Sequence, residues 1–167
     1  MPLLNHSLDA QTPMTPAIDQ LNTLGICHRL HKYVHDAKAV SYGLEASKKL
    51  GVNPARVFKT LVVDAGNHSL AVAVLPVNQQ LNLKQMAKAI GTKKVAMANP
   101  TLVSRSSGYV LGGVSPLGQK RQLVTVIDES ALVHSSIFVS GGQQGLEIEL
   151  AASALADATK ATFGAIT

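Results

Sequence analysis

The sequence predicts a mixed α/β fold, with a curved, partly antiparallel sheet rather than a doubly wound parallel one. Three observations lead there. Two apolar runs, Phe58 to Val63 and Leu70 to Leu75, flank the turn sequence Asp64-Ala65-Gly66-Asn67-His68, the pattern of an antiparallel hairpin. Further short strand patterns at 109–111, 123–127, 136–140 and 146–150 crowd the second half of the chain. Helical segments interrupt these strands without the regular alternation of a parallel sheet. The 167 residues suit one domain with a real core, and with 4% aromatic residues that core is built from Val, Leu, Ile and Ala.

The elements follow in order. Residues 1–13 are polar and proline-bearing and read as a disordered N-terminal extension, leaving 14–167 as a single domain. Thr15 caps the first helix, Pro16 suits its first position, and Ala17, Ile18, Leu21 and Leu24 share a face up to the stop at Gly25. Residues 26–34 alternate loosely as a strand, and 35–40 form a loop. A helix over 42–50 ends at Gly51, and Asn53-Pro54 marks a turn or a single helical turn. After the hairpin, Asn82-Leu83-Lys84-Gln85 has the form of a capping box for a helix running to about Ile90. A short strand lies within 93–97, a short helix runs from Asn99-Pro100 to near Gly108, and residues 151–160 form the last helix.

Composition narrows the function. A net charge of +5 favours a polyanionic partner, most simply nucleic acid. The absence of Trp argues against a base-stacking platform. The single cysteine, Cys27, excludes an internal disulfide and fits a reducing, cytoplasmic setting; such a residue is more often a small buried hydrophobe than a nucleophile. No apolar run reaches the ~18 residues of a membrane span, and the N-terminus lacks the basic-then-apolar order of a signal peptide, so no membrane partner is expected.

Lys59 is the first candidate for chemistry. Strand alternation puts it on one face with Leu61 and Val63, and a lysine among apolar neighbours is suited to holding a carbonyl oxygen or a phosphate. The second is Gly112-Gly113-Val114-Ser115-Pro116, whose amides suit an anion nest or oxyanion hole; its spacing fits neither a dinucleotide fingerprint nor a Walker loop. The third is Ser140-Gly141-Gly142-Gln143-Gln144-Gly145, which would face the first loop across one cleft. Glu147 and Glu149 point the same way from the following strand and read chiefly as a solvated edge. Tyr33 shares a face with His31 and offers a pocket hydroxyl. His28, His31 and His35 lack the carboxylate or cysteine spacing that would complete a zinc site. Lys84, Lys88, Lys93, Lys94, Arg105, Lys120 and Arg121 concentrate in the middle third, as a phosphate-tracking patch or a solvated face. Nothing resembles a nucleophile elbow or triad, so the nucleophile of any reaction is water or part of the substrate.

Taken together, Met14-Thr15-Pro16-Ala17-Ile18-Asp19, Phe58-Lys59-Thr60-Leu61, Leu81-Asn82-Leu83-Lys84, Gly108-Tyr109, Gly112 through Lys120 and Ser140-Gly141-Gly142 resemble the YbaK/EbsC family, and within it the bacterial Cys-tRNA(Pro) deacylases. The resemblance runs from Met14 to about residue 155. It implies a freestanding editing domain with a barrel-like core and peripheral helices, related to the insertion domain of prolyl-tRNA synthetase. It implies hydrolytic removal of cysteine from mischarged tRNA(Pro), with tRNA as substrate, prolyl-tRNA synthetase as partner, and no cofactor or metal. The family's essential lysine maps onto Lys59 and its glycine loop onto Gly112 and Gly113, the catalytic set. Tyr33, Thr60, Ser115, Ser140, Gly141 and Gly142 are the implied substrate-binding residues. Gln143 and Gln144 depart from the basic pair often seen at those positions. The substrate's own thiol supplies the implied nucleophile. A non-catalytic adaptor for tRNA or a synthetase, and an editing domain for another amino acid such as alanine, are the competing readings.

Overall fold

The structure, a computed structural model, describes residues 14–167; the N-terminal extension expected over 1–13 lies outside the described residues. Helix α1 (Pro16–Leu24) starts where Thr15 Oγ1 accepts the Ile18 N–H at 3.3 Å and ends at Gly25 in the left-handed region. The Ile26 N–H then bonds to Leu21 O at 3.0 Å. Residues 26–28 therefore complete the helix end instead of opening a strand, and β1 is only Arg29–Lys32. Helix α2 (Tyr42–Leu50) is capped by Ser41 and stopped by Gly51. A single 3-10 turn, Pro54–Arg56, leads into the hairpin of β2 (Phe58–Asp64) and β3 (Leu70–Pro76), with Phe58 opposite Pro76 and Asp64 opposite Leu70.

Helix α3 (Leu83–Ile90) begins where Asn82 Oδ1 accepts the Gln85 N–H at 3.0 Å. The two-residue β4 (Ala96–Met97) and helix α4 (Pro100–Ser107) follow. The strand expected at 109–111 is absent. Gly108 ends α4 in a left-handed conformation, and the Gly113 N–H bonds back to Val110 O at 3.0 Å, so 110–113 is a tight turn with Val110 and Leu111 exposed. The chain then forms β5 (Val124–Asp128), a 3-10 segment (Glu129–Val133), β6 (Ile137–Ser140), β7 (Leu146–Leu150), α5 (Ala152–Thr159) and β8 (Thr162–Gly164). Two elements have no counterpart in the sequence reading: the 3-10 segment Glu129–Val133 and β8, three residues long and too short for a periodic signal.

Two sheets result. One has the order β4-β2-β3-β5-β8, antiparallel across β4, β2 and β3 and parallel from β3 through β5 to β8. The other is the antiparallel set β1-β7-β6. They meet at one parallel bridge, Val57 to Phe138. The largest apolar cluster gathers the Phe58, Val62, Val72 and Val74 face of the hairpin with Ile137, Val139, Leu146, Ile148 and helices α1 and α5. The opposite hairpin face, Val63, Ala71, Ala73 and Leu75, packs under Met86 and Ala87 of α3. A third cluster, under α2, joins Ala46, Val57, Val77 and Phe138, with Tyr33 against it. Among the described residues no helix is long and apolar enough to cross a membrane.

Candidate active site

The site grows from the bridge between the sheets. Val57 lies level with Phe138 in parallel register, and both side chains enter the cluster under α2. Ser140 is paired across β6 and β7 with Glu147, and Glu147 across β7 and β1 with His31, so these three form a row across three strands. The bridge brings the start of β2, two residues before Lys59, beside β6. Lys59 itself is half-buried between the α2 and α3 clusters. That burial holds its ammonium below the usual lysine range.

The two glycine loops meet beside this row. A Cβ on Gly112 would lie 2.6 Å from Gln144 Nε2 and 2.9 Å from the Tyr42 ring, and one on Gly113 would lie 2.9 Å from the Gln143 Cα. The backbones therefore touch where no side chain fits. Gly112 has φ +88, so two separate reasons demand glycine there. Fixed groups hold both loops: Tyr109 Oη donates to Leu117 O at 2.6 Å, and Thr15 Oγ1 donates to Gly141 O at 2.5 Å. The Gly113, Gly141 and Gly142 N–H groups are already engaged, by Val110 O, Leu146 O and Ser140 Oγ. The Gly112 N–H has no hydrogen-bond partner among the described residues.

Other residues singled out from the sequence fall in different places. Tyr33 follows β1, its N–H bonded to Gly145 O at 3.0 Å and its ring packed with Ala46, Val57 and Phe138. Burial, helped by the nearby Glu147 charge, pushes its hydroxyl up to about 12, so it acts only as a neutral donor or acceptor. Thr60 lies on the other face of β2, opposite Val74, with a buried Oγ1 that has no partner among the described residues. Ser115 is fully buried, and its Oγ accepts the Leu117 N–H at 3.3 Å, so it shapes its own loop. Cys27 is exposed rather than buried. The three histidines diverge: His28 bonds to Ile26 O, His31 to Glu149 and His35 to Glu45.

The expectation of a solvated acidic edge is corrected. Strand β7 is the middle strand of its sheet, and Glu147 and Glu149 share the face of Phe138, Ser140 and His31, which Arg56 reaches at Glu149. Glu149 is embedded in partners: His31 Nε2 at 2.9 Å, Ser136 Oγ at 2.6 Å and Arg56 at 3.5 Å. Burial pushes its carboxyl up, but the hydrogen bonds from Ser136 and His31 outweigh that and hold it below the usual range. Glu147 has no such relief. Its Oε2 is buried without a partner among the described residues, and burial pushes the carboxyl up to about 8. Glu147 is the buried carboxylate that the sequence reading undervalued, and nothing local in the sequence separates it from Glu149.

This arrangement defines a class of site: one half-buried cation, one free backbone amide at Gly112 held by joined loops, and, among the described residues, no side-chain nucleophile paired with a base. Residues 37–158 match the family model of the aminoacyl-tRNA editing domain, and the chain belongs to that family. It is 43% identical over 121 residues, 72% of this chain and 74% of the relative, to EbsC of Enterococcus faecalis, named a candidate Cys-tRNA(Pro)/Cys-tRNA(Cys) deacylase. It is 25% identical over 100 residues to a proline–tRNA ligase of Thermosipho melanesiensis, covering 60% of this chain and 17% of that enzyme. Among solved structures, hypothetical protein APE2540 superposes with a TM-score of 0.81 at 25% identity, covering 91% of this chain and 99% of the other. A candidate trans-editing enzyme for prolyl-tRNA synthetase shares the fold at a TM-score of 0.80 and 19% identity, covering 93% and 99%.

Two predictions follow from the geometry. Gly113→Ala places a methyl against the Gln143 backbone and should part the loops; deacylation should fall by about two orders of magnitude, an effect typical of losing one positioned amide donor, with far-UV circular dichroism unchanged. The raised Glu147 carboxyl keeps its proton in the folded state while the unfolded chain has released it. Stability should therefore fall as pH rises from about 4.5 to about 8 and then level off. Urea titrations should show the advantage of Glu147→Gln over the natural chain growing between pH 5 and 8.5 by roughly 3–4 kcal/mol. A pH-independent difference contradicts this.

Proposed function

We propose that this protein is a freestanding editing domain, spanning residues 14–167, that removes cysteine from mischarged tRNA(Pro) by letting the substrate's own thiol attack its ester. The observation that carries this reading is the contact between the two glycine loops, with β2, the strand of the half-buried Lys59, bridged at its start to β6, the strand that leads into the second loop. Membership of the aminoacyl-tRNA editing family and the 43% identity to EbsC support the same substrate.

The chemistry balances without a cofactor. The cysteine sulfur bonds to the ester carbonyl carbon, the carbon–oxygen ester bond breaks, and the thiol proton ends on the departing ribose oxygen. The cyclic thioester so formed is opened by water to free cysteine. Negative charge develops on the carbonyl oxygen during the attack, and the free Gly112 N–H, held by the Tyr42 and Gln144 contacts, is the donor placed to meet it. The other glycine amides serve the loops themselves. Lys59 holds the substrate or the tRNA terminus, and its positive charge favours the thiolate over the thiol. Tyr33, Ser140 and Glu147 line the side chain's end of the cleft, with Gly141 and Gly142 keeping the second loop closed. Thr60 and Ser115 support the walls. Selectivity comes from the mechanism: alanine and proline esters lack the attacking atom, and a serine hydroxyl is a far weaker nucleophile than a thiol. Prolyl-tRNA synthetase is the partner that would deliver the mischarged tRNA.

The test is a deacylation panel of cysteine, serine, alanine and proline esters of tRNA(Pro). Cysteine should be released far faster than the others, and Lys59→Ala should reduce that release by about 100-fold or more. Equal release of alanine, or an unimpaired Lys59→Ala variant, contradicts the reading.

A further inference from the structure

The charge of this chain is divided by sequence. None of its ten acidic residues lies between residues 65 and 127, whereas seven of its fifteen lysines and arginines do, so that segment carries +7 and the remainder −2. A surface built only for solubility interleaves the two signs. The lysine and arginine of the recorded ion pairs, Lys49 with Glu45 and Arg56 with Glu149, both lie outside the segment. No ion pair is recorded for Arg105, Lys120 or Arg121 among the described residues, and all three are exposed.

The fold gathers those three at one place. Arg105 is in the last turn of α4, and the chain that leaves α4 at Gly108 returns at Lys120. The Lys120 N–H bonds to Ser107 O at 3.0 Å and the Arg121 N–H to Ser106 O at 2.9 Å. The Lys120 stem lies across Gly108, within 3.5–3.8 Å of where a Cβ would be. Residues 108–120 are therefore a closed loop, pinned inside by the Tyr109–Leu117 bond. Its neck carries three unpaired cations, and the turn that holds Gly112 lies early along it. Four peptide steps separate Gly108 from Gly112, which limits the distance to about 14 Å.

We propose that Arg105, Lys120 and Arg121 form the docking surface for the sugar–phosphate backbone of the acceptor end of tRNA, whose 3′-terminal ester lies at Gly112. This rests on the reading of the substrate as an aminoacyl-tRNA. The rigid neck fixes the cations relative to the glycine turn, so binding the backbone sets the ester's position. It is a contact to phosphates and carries no sequence preference. Selection among tRNAs would therefore have to come from elsewhere.

The test uses the whole chain and two substrates: cysteinyl-tRNA, and the cysteinyl ester of adenosine, which has no phosphate backbone. Binding of uncharged tRNA is measured over a range of salt. The triple variant Arg105→Gln, Lys120→Gln, Arg121→Gln should flatten the plot of log K against log salt by about 2–3 units. It should raise KM for cysteinyl-tRNA and leave turnover of the small ester unchanged, which also shows that it is folded. The charge-keeping pair Arg105→Lys, Arg121→Lys should retain the steep slope, and Arg105→Gln alone should remove about one unit. An unchanged slope in the triple variant, or loss of small-ester turnover in step with tRNA turnover, overturns the proposal. A natural chain that binds tRNA with the steep slope but releases no cysteine refutes the deacylase reading and leaves the docking surface standing.

Discussion

The backbone-to-backbone contact between Gly113 and Gln143 is the constraint on which the rest of this molecule depends. A contact of this kind requires glycine on one side, and it requires both loops to be held still by something else. Thr15 does this for the second loop while also capping α1, and Tyr109 does it for the first. Gly142 lies against both of those residues, so an added Cβ would meet the Tyr109 ring at 2.8 Å and the Thr15 Cβ at 3.1 Å. The start of the first helix and the site's two loops are in this way parts of one packed unit. A donor positioned by such a unit has little freedom to lose when charge develops in front of it.

Electrostatics divide the face under α2 into a satisfied half and an unsatisfied half. Glu149 draws three partners from three elements and ties β1, β6 and the Pro54–Arg56 turn together, with Arg56 and His31 both stacked near the Phe138 ring. Glu45 does the same at the start of α2. Burial pushes its carboxyl up, and the bonds from His35 and the Asp36 N–H more than offset that. Glu147, between these networks and paired with Ser140, keeps one buried oxygen without a partner among the described residues. A group left in that condition costs stability, and in a folded protein such a cost falls where substrate is handled more often than in a structural core.

Much of this was legible in the chain. Thr15-Pro16, Asn82 and Asn99-Pro100 announce their helices because capping is local chemistry, and the hairpin announces itself by two long apolar runs around a turn. Lys59 was legible as an anomaly in the first of those runs. Whatever depended on distant contacts was not legible. Tyr109 to Leu111 has strand composition, yet Gly108 and the Val110–Gly113 bond spend that segment on a turn. Ser115 sits in the most distinctive motif of the sequence and proves to be loop scaffolding. Glu147 and Glu149 look alike in sequence. Only the order β1-β7-β6 shows that they are central, and only the partners of each separate a clamp from an unsatisfied carboxyl.

The central claim is that substrate lies against the two joined loops with its carbonyl at the Gly112 N–H. The most direct measurement is the set of backbone amide NMR shifts on adding a non-hydrolysable 3′-cysteinylamido adenosine. The account predicts the largest changes at Gly112 and along Ser140 to Gly145, with the Lys59 side chain perturbed. Changes confined to the cavity of about 540 Å³ bordered by Ile26, Cys27, Ser136 and Ala151 would contradict it.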